Sequence, residues 1–206
     1  MTLSDRVRAV TSGFMSRLGT TLHQLGVHPD AITIFGLLVV GVAAVLIGSG
    51  ELQWGGVVLL VGLPLDAVDG AVARAMQRKT TFGQMLDSSL DRYADGLIFG
   101  ALSYHFAVQD AHGLMLLALA ALIGSFMVSY TRARAEGIDV VVKIGLFSRL
   151  ERVAVILPML LLPDLFGLPL LEIGTVVLAV GTNITGVQRL WFVYKTLKDR
   201  EESHGV

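Results

Sequence analysis

Between Asp30 and Glu51 the twenty residues Ala31 to Gly50 carry no charge. At about 1.5 Å of rise per residue, that is what a helix needs to cross about 30 Å of hydrocarbon. A second apolar run, Trp54 to Leu65, continues in helical periodicity through Asp66-Ala-Val-Asp69-Gly70-Ala-Val-Ala-Arg74 and predicts one helix over about 53–76. Further apolar stretches at about 83–107, 112–133, 149–166 and 171–194 bring the expected spans to six. The fifth is the most interrupted, by Asp164, Pro158 and Pro163. Ahead of the first span, Val7, Val10, Phe14, Leu18, Leu22 and Leu25 recur every three or four residues, with Arg6, Arg8, Arg17 and His23 off that stripe. This is the pattern of a helix that lies along the inner membrane interface or packs on the bundle. No small-residue cleavage pattern precedes Ala31, so a removable signal peptide is not expected. The pattern predicts an all-α integral membrane protein: an N-terminal amphipathic juxtamembrane helix over 1–30, a six-helix transmembrane domain over 31–197, and a charged, frayed cytoplasmic tail over 198–206.

Composition supports the membrane assignment. Hydrophobic residues make up 53% and charged residues 16%, with a mean hydropathy of +0.68, which leaves no material for a soluble enzyme domain beside the spans. The net charge of −1 gives no basic excess for nucleic acid, and the absence of cysteine removes disulfides, thiolate metal sites and thiol catalysis. All sixteen Lys and Arg fall on one side of the six-span map, around the N-terminus, residues 74–92, residues 132–152 and the C-terminal end. The connections near Glu51, Asp110 and Asp164 to Glu172 contain none, so both termini are expected in the cytoplasm.

Chemistry enters with Asp66, Asp69, Asp87, Asp91 and Asp95 at the cytoplasmic ends of spans two and three. A carboxylate inside a span is costly unless neutralised, and so carries a functional presumption. Asp66 and Asp69 share one helical face at i and i+3; Asp87, Asp91 and Asp95 share another at successive i+4 steps. A short connection makes the two helices antiparallel neighbours whose acidic faces can meet. Several converging carboxylates repel one another, and bound divalent cations relieve that repulsion. Oxygen-only ligation favours Mg²⁺ or Mn²⁺ over zinc, and a pair of such ions suits in-line displacement at phosphorus. The competing expectation is a salt-bridged acidic face, with Arg74, Arg78 and Arg92 as partners. Gly70 and Gly83 would let a ligand approach the backbone closely, and Arg74 offers a phosphate-binding fork one turn beyond Gly70. No Walker-type phosphate loop is present.

The run Asp66-x2-Asp69-Gly70-x2-Ala73-Arg74-x8-Gly83-x3-Asp87-x3-Asp91 resembles, at every spacing, the signature of the CDP-alcohol phosphotransferase (CDP-alcohol phosphatidyltransferase) family, with eight specified residues over twenty-six positions. Six spans with inward termini are also the pattern of that family. The resemblance implies transfer of a phosphatidyl group from a CDP-linked lipid such as CDP-diacylglycerol to an alcohol, with release of CMP, at a two-ion Mg²⁺ site in which Mn²⁺ can substitute. It implies that Asp66, Asp69, Asp87 and Asp91 ligate the metals, and that Asp91 also takes the proton of the acceptor hydroxyl. It further implies that Gly70, Arg74, Thr80 and Gly83 contact the CDP-lipid, together with Pro29, Asp30, Ala31, Ile32 and Thr33 ahead of and within the first span. A homodimer in the cytoplasmic membrane, with its active site facing the cytoplasm, is implied by the resemblance alone.

Within the family, Leu90-Asp91-Arg92-Tyr93-Ala94-Asp95-Gly96 and Ser129-Tyr130-Thr131-Arg132-Ala133-Arg134-Ala135-Glu136 look like the subgroup that makes phosphatidylinositol phosphate or its archaeal ether-lipid counterpart. That resemblance implies inositol 1-phosphate as acceptor, its phosphate held by Arg134, Arg149 and Arg152. The Arg-Pro-Glu-Arg pattern common in the subgroup reads Arg149-Leu150-Glu151-Arg152 here. Guanidinium forks suit any dianionic acceptor, so glycerol 3-phosphate is the first alternative. A non-enzymatic divalent-cation carrier is the second, although its acidic residues would be expected in mid-membrane rather than beside an arginine-bearing loop.

Overall fold

The computed structural model describes residues 21, 26, 28–62, 72 and 80–204. The predicted amphipathic helix over 1–30 lies almost wholly outside the described residues, as do Asp66, Asp69, Gly70 and Arg74; Val72, the one described residue of that stretch, is helical and fully buried.

Among the described residues, six bounded helices and one small hairpin follow one another: α1 (Pro29–Gly48), α2 (Leu52–Gly62), α3 (Thr81–Val108), α4 (His112–Glu136), α5 (Arg149–Leu161), β1 (Asp164–Leu165), β2 (Leu168–Pro169) and α6 (Leu170–His204). Three of them, over Pro29–Gly48, His112–Glu136 and Leu170–Glu202, are long and apolar enough to cross a membrane. α3 has the length as well, but Asp87, Asp91, Arg92 and Asp95 make its first half polar.

Local chemistry accounts for the boundaries. His28 is extended and caps α1, its Nδ1 accepting from the Asp30 amide at 3.4 Å, while Pro29 occupies the first helical position, where a missing N–H costs nothing. Thr80 caps α3, its Oγ1 accepting from the Gly83 amide at 3.0 Å. Ser148 and Glu151 stand at the cap and third positions of α5, and the Ser148 hydroxyl donates to the Glu151 carboxylate, side chain to side chain, without the side-chain-to-amide bonds of a capping box. The Arg149-Leu150-Glu151-Arg152 segment is therefore the first turn of a helix.

Two expectations are corrected. The fifth helix ends at Leu161, not near residue 166: Pro163 follows the C-cap Leu162, and Phe166 and Gly167 at positive φ turn the chain into the β1–β2 hairpin. Pro158, by contrast, sits inside α5 without ending it. Beyond Lys198, where an irregular tail was expected, the chain is helical as far as His204.

Among the described residues the helices pack in a closed ring, in the order α1, α3, α4, α6, α5, α2 and back to α1. Its apolar core includes Ile47, Leu59, Phe99, Leu102, Phe106, Leu160 and Leu178. The α4–α6 contact is close because Gly124 faces Thr182 and Asn183, and Asn183 Nδ2 donates to Ala120 O at 2.8 Å. Outward faces stay apolar, with Phe35, Leu38, Val45, Ile123 and Trp191 exposed, as lipid-facing surfaces require.

Candidate functional site

α3 carries the described half of the acidic constellation. Asp87, Asp91 and Asp95 are all half-buried on one face, spread over about 12 Å of helix axis. Opposite them, across the ring from its neighbour-to-neighbour contacts, stand the first turns of α5. Arg149 Nη1 lies 2.6 Å from Asp91 Oδ1, and Arg152 Nη2 lies 3.0 Å from Asp95 Oδ2. An i, i+4 pair on one helix thus matches an i, i+3 pair on another that runs in the same direction.

The two ion pairs differ in depth. The Asp91 and Arg149 side chains are 24% and 36% exposed, those of Asp95 and Arg152 only 14% and 5%, so the first pair sits at the mouth and the second in the interior. Asp95 Oδ2 also accepts from Ser125 Oγ on α4 at 2.5 Å.

The structure brings most of the other described candidates to the same end of the bundle. Ile32 and Thr33 of α1 line a cavity of about 30 Å³ together with Gly36, Asp91 and Arg149, room for a hydroxyl group or a water. The Asp30 carboxylate lies next to Gly83: a Cβ built there would come within 3.5 Å of Asp30 Oδ1 and 2.9 Å of Thr80 Oγ1. Asp30, Thr80 and Gly83 therefore form one patch, with Pro29 buried and Ala31 exposed beside it. Thr33 Oγ1 donates back to Pro29 O at 3.2 Å.

Arg134 is placed differently. It is exposed near the end of α4, two positions and about 200° around the helix from Arg132. It is Arg132 that lies within electrostatic reach of the buried Arg189, as does Arg152.

Arg189 was missed from the sequence. Its Nη1 donates to Val128 O at 2.7 Å and its Nε to Ile144 O at 2.9 Å, which fastens the 137–148 connection to α6 and α4. A charged residue inside an apolar span was the signal available to find it. The same connection is held by Arg200 Nη2, which donates to Asp139 O at 2.7 Å, and by the Phe147 amide, which donates to Thr185 Oγ1 at 2.9 Å.

For a divalent cation, the described donors are of the right kind. Asp87 and Asp91 offer carboxylate oxygens one helical turn apart, with no imidazole or thiol alongside, a set that fits hard ions such as Mg²⁺ or Mn²⁺. Two acids are too few to complete a site, and no cluster of three metal-ligating side chains occurs among the described residues.

Residues 26–187 match the CDP-alcohol phosphatidyltransferase family along most of the chain. The chain belongs to that family. This phosphatidyltransferase is 36% identical to the phosphatidylinositol phosphate synthase of Streptomyces avermitilis, over 91% of this chain and 81% of the relative. It is 34% identical to the archaetidylinositol phosphate synthase of Pyrococcus horikoshii, over 94% of this chain and 98% of the relative. Its fold matches that of the Mycobacterium tuberculosis phosphatidylinositol phosphate synthase crystallised with CDP-DAG bound, at a TM-score of 0.81 and 32% identity, covering 87% of this chain and 93% of the other. A second crystal structure of that enzyme, in complex with manganese and citrate, matches equally well at 0.81.

Proposed function

We propose that this phosphatidyltransferase transfers the phosphatidyl group of CDP-diacylglycerol to a hydroxyl of inositol 1-phosphate, giving phosphatidylinositol phosphate and CMP. One observation carries the reading: the Asp91 carboxylate and the Arg149 guanidinium share a cavity at the mouth of the bundle, with Arg152 and Arg189 behind them. A base and a cation cluster side by side suit an acceptor that must lose a proton at one end and hold a phosphate at the other.

Asp91 takes the acceptor proton, while Arg149, Arg152 and Arg189 orient the acceptor through its phosphate. Asp30, Thr80 and Gly83, with Pro29, Ala31, Ile32 and Thr33, border the CDP-lipid, and the glycine leaves the space that a side chain would fill. The family signature adds Gly70 and Arg74 to the residues proposed to contact the CDP-lipid. Asp66, Asp69, Asp87 and Asp91 would hold two Mg²⁺ ions, with Mn²⁺ as a substitute. Bound there, the ions supply charge neutralisation of the pyrophosphate and a better leaving group in CMP.

The reading includes six spans, an interfacial N-terminal helix, both termini and the site on the cytoplasmic face of the cell membrane, and a homodimer. The lysine and arginine distribution supports the orientation.

The experiment is CMP release from CDP-diacylglycerol by purified protein with inositol 1-phosphate, glycerol 3-phosphate, inositol or serine, with Mg²⁺ and with EDTA. Turnover is expected with inositol 1-phosphate and Mg²⁺, and none after chelation. Preference for glycerol 3-phosphate would reassign the acceptor, and full activity in EDTA would remove the metal site.

A further inference from the structure

Asp95 lies one turn beyond Asp91 on the same face of α3, outside the eight-residue signature. Its Oδ2 accepts from Ser125 Oγ of α4 at 2.5 Å and from Arg152 Nη2 of α5 at 3.0 Å, so one oxygen joins three helices. Arg152 is 4% exposed and Ser125 fully buried.

Stability does not explain this arrangement. Desolvating two charges offsets most of what their attraction returns, and apolar residues of similar volume would hold three helices together as well. The pairing is also incomplete, since the Arg152 Nε–H is buried and has no hydrogen-bond partner among the described residues. Native interiors rarely leave such a donor unmatched. Among the described residues, Arg92 and Arg149 lie within electrostatic reach of Arg152 together with the carboxylates of Asp95 and Asp91, and Arg152 is in turn within reach of Arg189. These guanidiniums complement a dianionic phosphate monoester, whose oxygens also supply the acceptor that Nε lacks.

We propose that Asp95 is a positioning residue for the acceptor: held by the Ser125 hydroxyl, its carboxylate grips the Arg152 guanidinium by the Nη2 corner and so presents the remaining N–H donors to the acceptor's phosphate in one orientation. Asp95 touches no reacting atom and acts only through Arg152. Among the described residues Asp91 is the other carboxylate acting on Arg152, and a guanidinium drawn there once Asp95 loses its charge is lost to the acceptor. This inference rests on the phosphorylated-acceptor reading above.

Steady-state kinetics on the full chain, varying inositol 1-phosphate and CDP-diacylglycerol separately, test it. Asp95→Asn should raise the acceptor KM about tenfold or more, with donor KM and kcat within about twofold; Ser125→Ala, which spares the ion pair, should raise it about threefold. Asp95→Glu should recover part of the loss, and Arg152→Lys should add little to Asp95→Asn, since both act on one guanidinium. If Asp95→Asn does not fold, Ser125→Ala decides. An unchanged acceptor KM in the folded variants, beside a wild type that prefers phosphorylated acceptors, overturns the role of Asp95 alone. A wild type that uses inositol as readily as inositol 1-phosphate overturns the underlying reading and this inference with it.

Discussion

Arg149 Nη1 approaches Asp91 Oδ1 to 2.6 Å, so the carboxylate proposed as base and metal ligand is also bound by a guanidinium. Two kinds of cation then compete for one acid. For a pair this exposed the attraction is worth about 1 kcal/mol, or roughly a fivefold effect on affinity. Arg149→Gln is expected to tighten Mn²⁺ binding by about that factor, measured by calorimetry or electron paramagnetic resonance on the purified protein. Weaker binding in the variant would show that Arg149 supports the metal site instead of competing with it.

Replacing Asp91 by Asn keeps the shape and removes the proton acceptor. General-base contributions of about 10²–10⁴ set the least fall expected in kcat, since a proposed metal ligand is lost as well, while the other three aspartates keep most of the CDP-lipid affinity, as read by CMP release and by equilibrium binding of CDP-diacylglycerol. Undiminished turnover would assign the base elsewhere.

Thr80 holds the start of α3 by accepting from the Gly83 amide at 3.0 Å. Thr80→Ala should destabilise that turn by about 1 kcal/mol, seen as faster amide exchange over 81–84, whereas Thr80→Ser should behave as wild type. A donor KM that rises in Thr80→Ala and recovers in Thr80→Ser is the expected kinetic counterpart, since Asp30 and Gly83 sit on the same patch.

Gly124 packs against α6 so closely that a Cβ would lie 2.8 Å from the Asn183 amide nitrogen. Gly124→Val should cost about 1–3 kcal/mol through overpacking and lower the thermal transition in detergent. Gly41→Ala is the control, because a Cβ there meets nothing within 4 Å. Equal transitions in the two variants would show that α4 and α6 separate without cost.

Much of this molecule was legible in its sequence because hydrocarbon imposes a simple rule on apolar runs. The starts of α1 and α3 fall within two residues of expectation, since His28-Pro29 and Thr80 write their caps in local chemistry. The acidic i+4 series on α3 was equally plain. The end of α5 was misjudged because an apolar run continues through Leu165 and Phe166, although Pro163 and Gly167 stop the helix. The arginines were harder still. Arg149 and Arg152 face α3 because α5 happens to run parallel to it, and Arg189 joins them from a helix far along the chain. No spacing in a linear sequence encodes which helices a ring places opposite one another.

At 35 residues, α6 measures about 52 Å, well beyond what a bilayer conceals. The stretch ahead of α5 is tied to this long helix, like a boat to a mooring post, by Arg189, Thr185 and Arg200. The point from which α5 starts, and with it the place of Arg149, is thereby fixed by a helix that need not touch substrate at all.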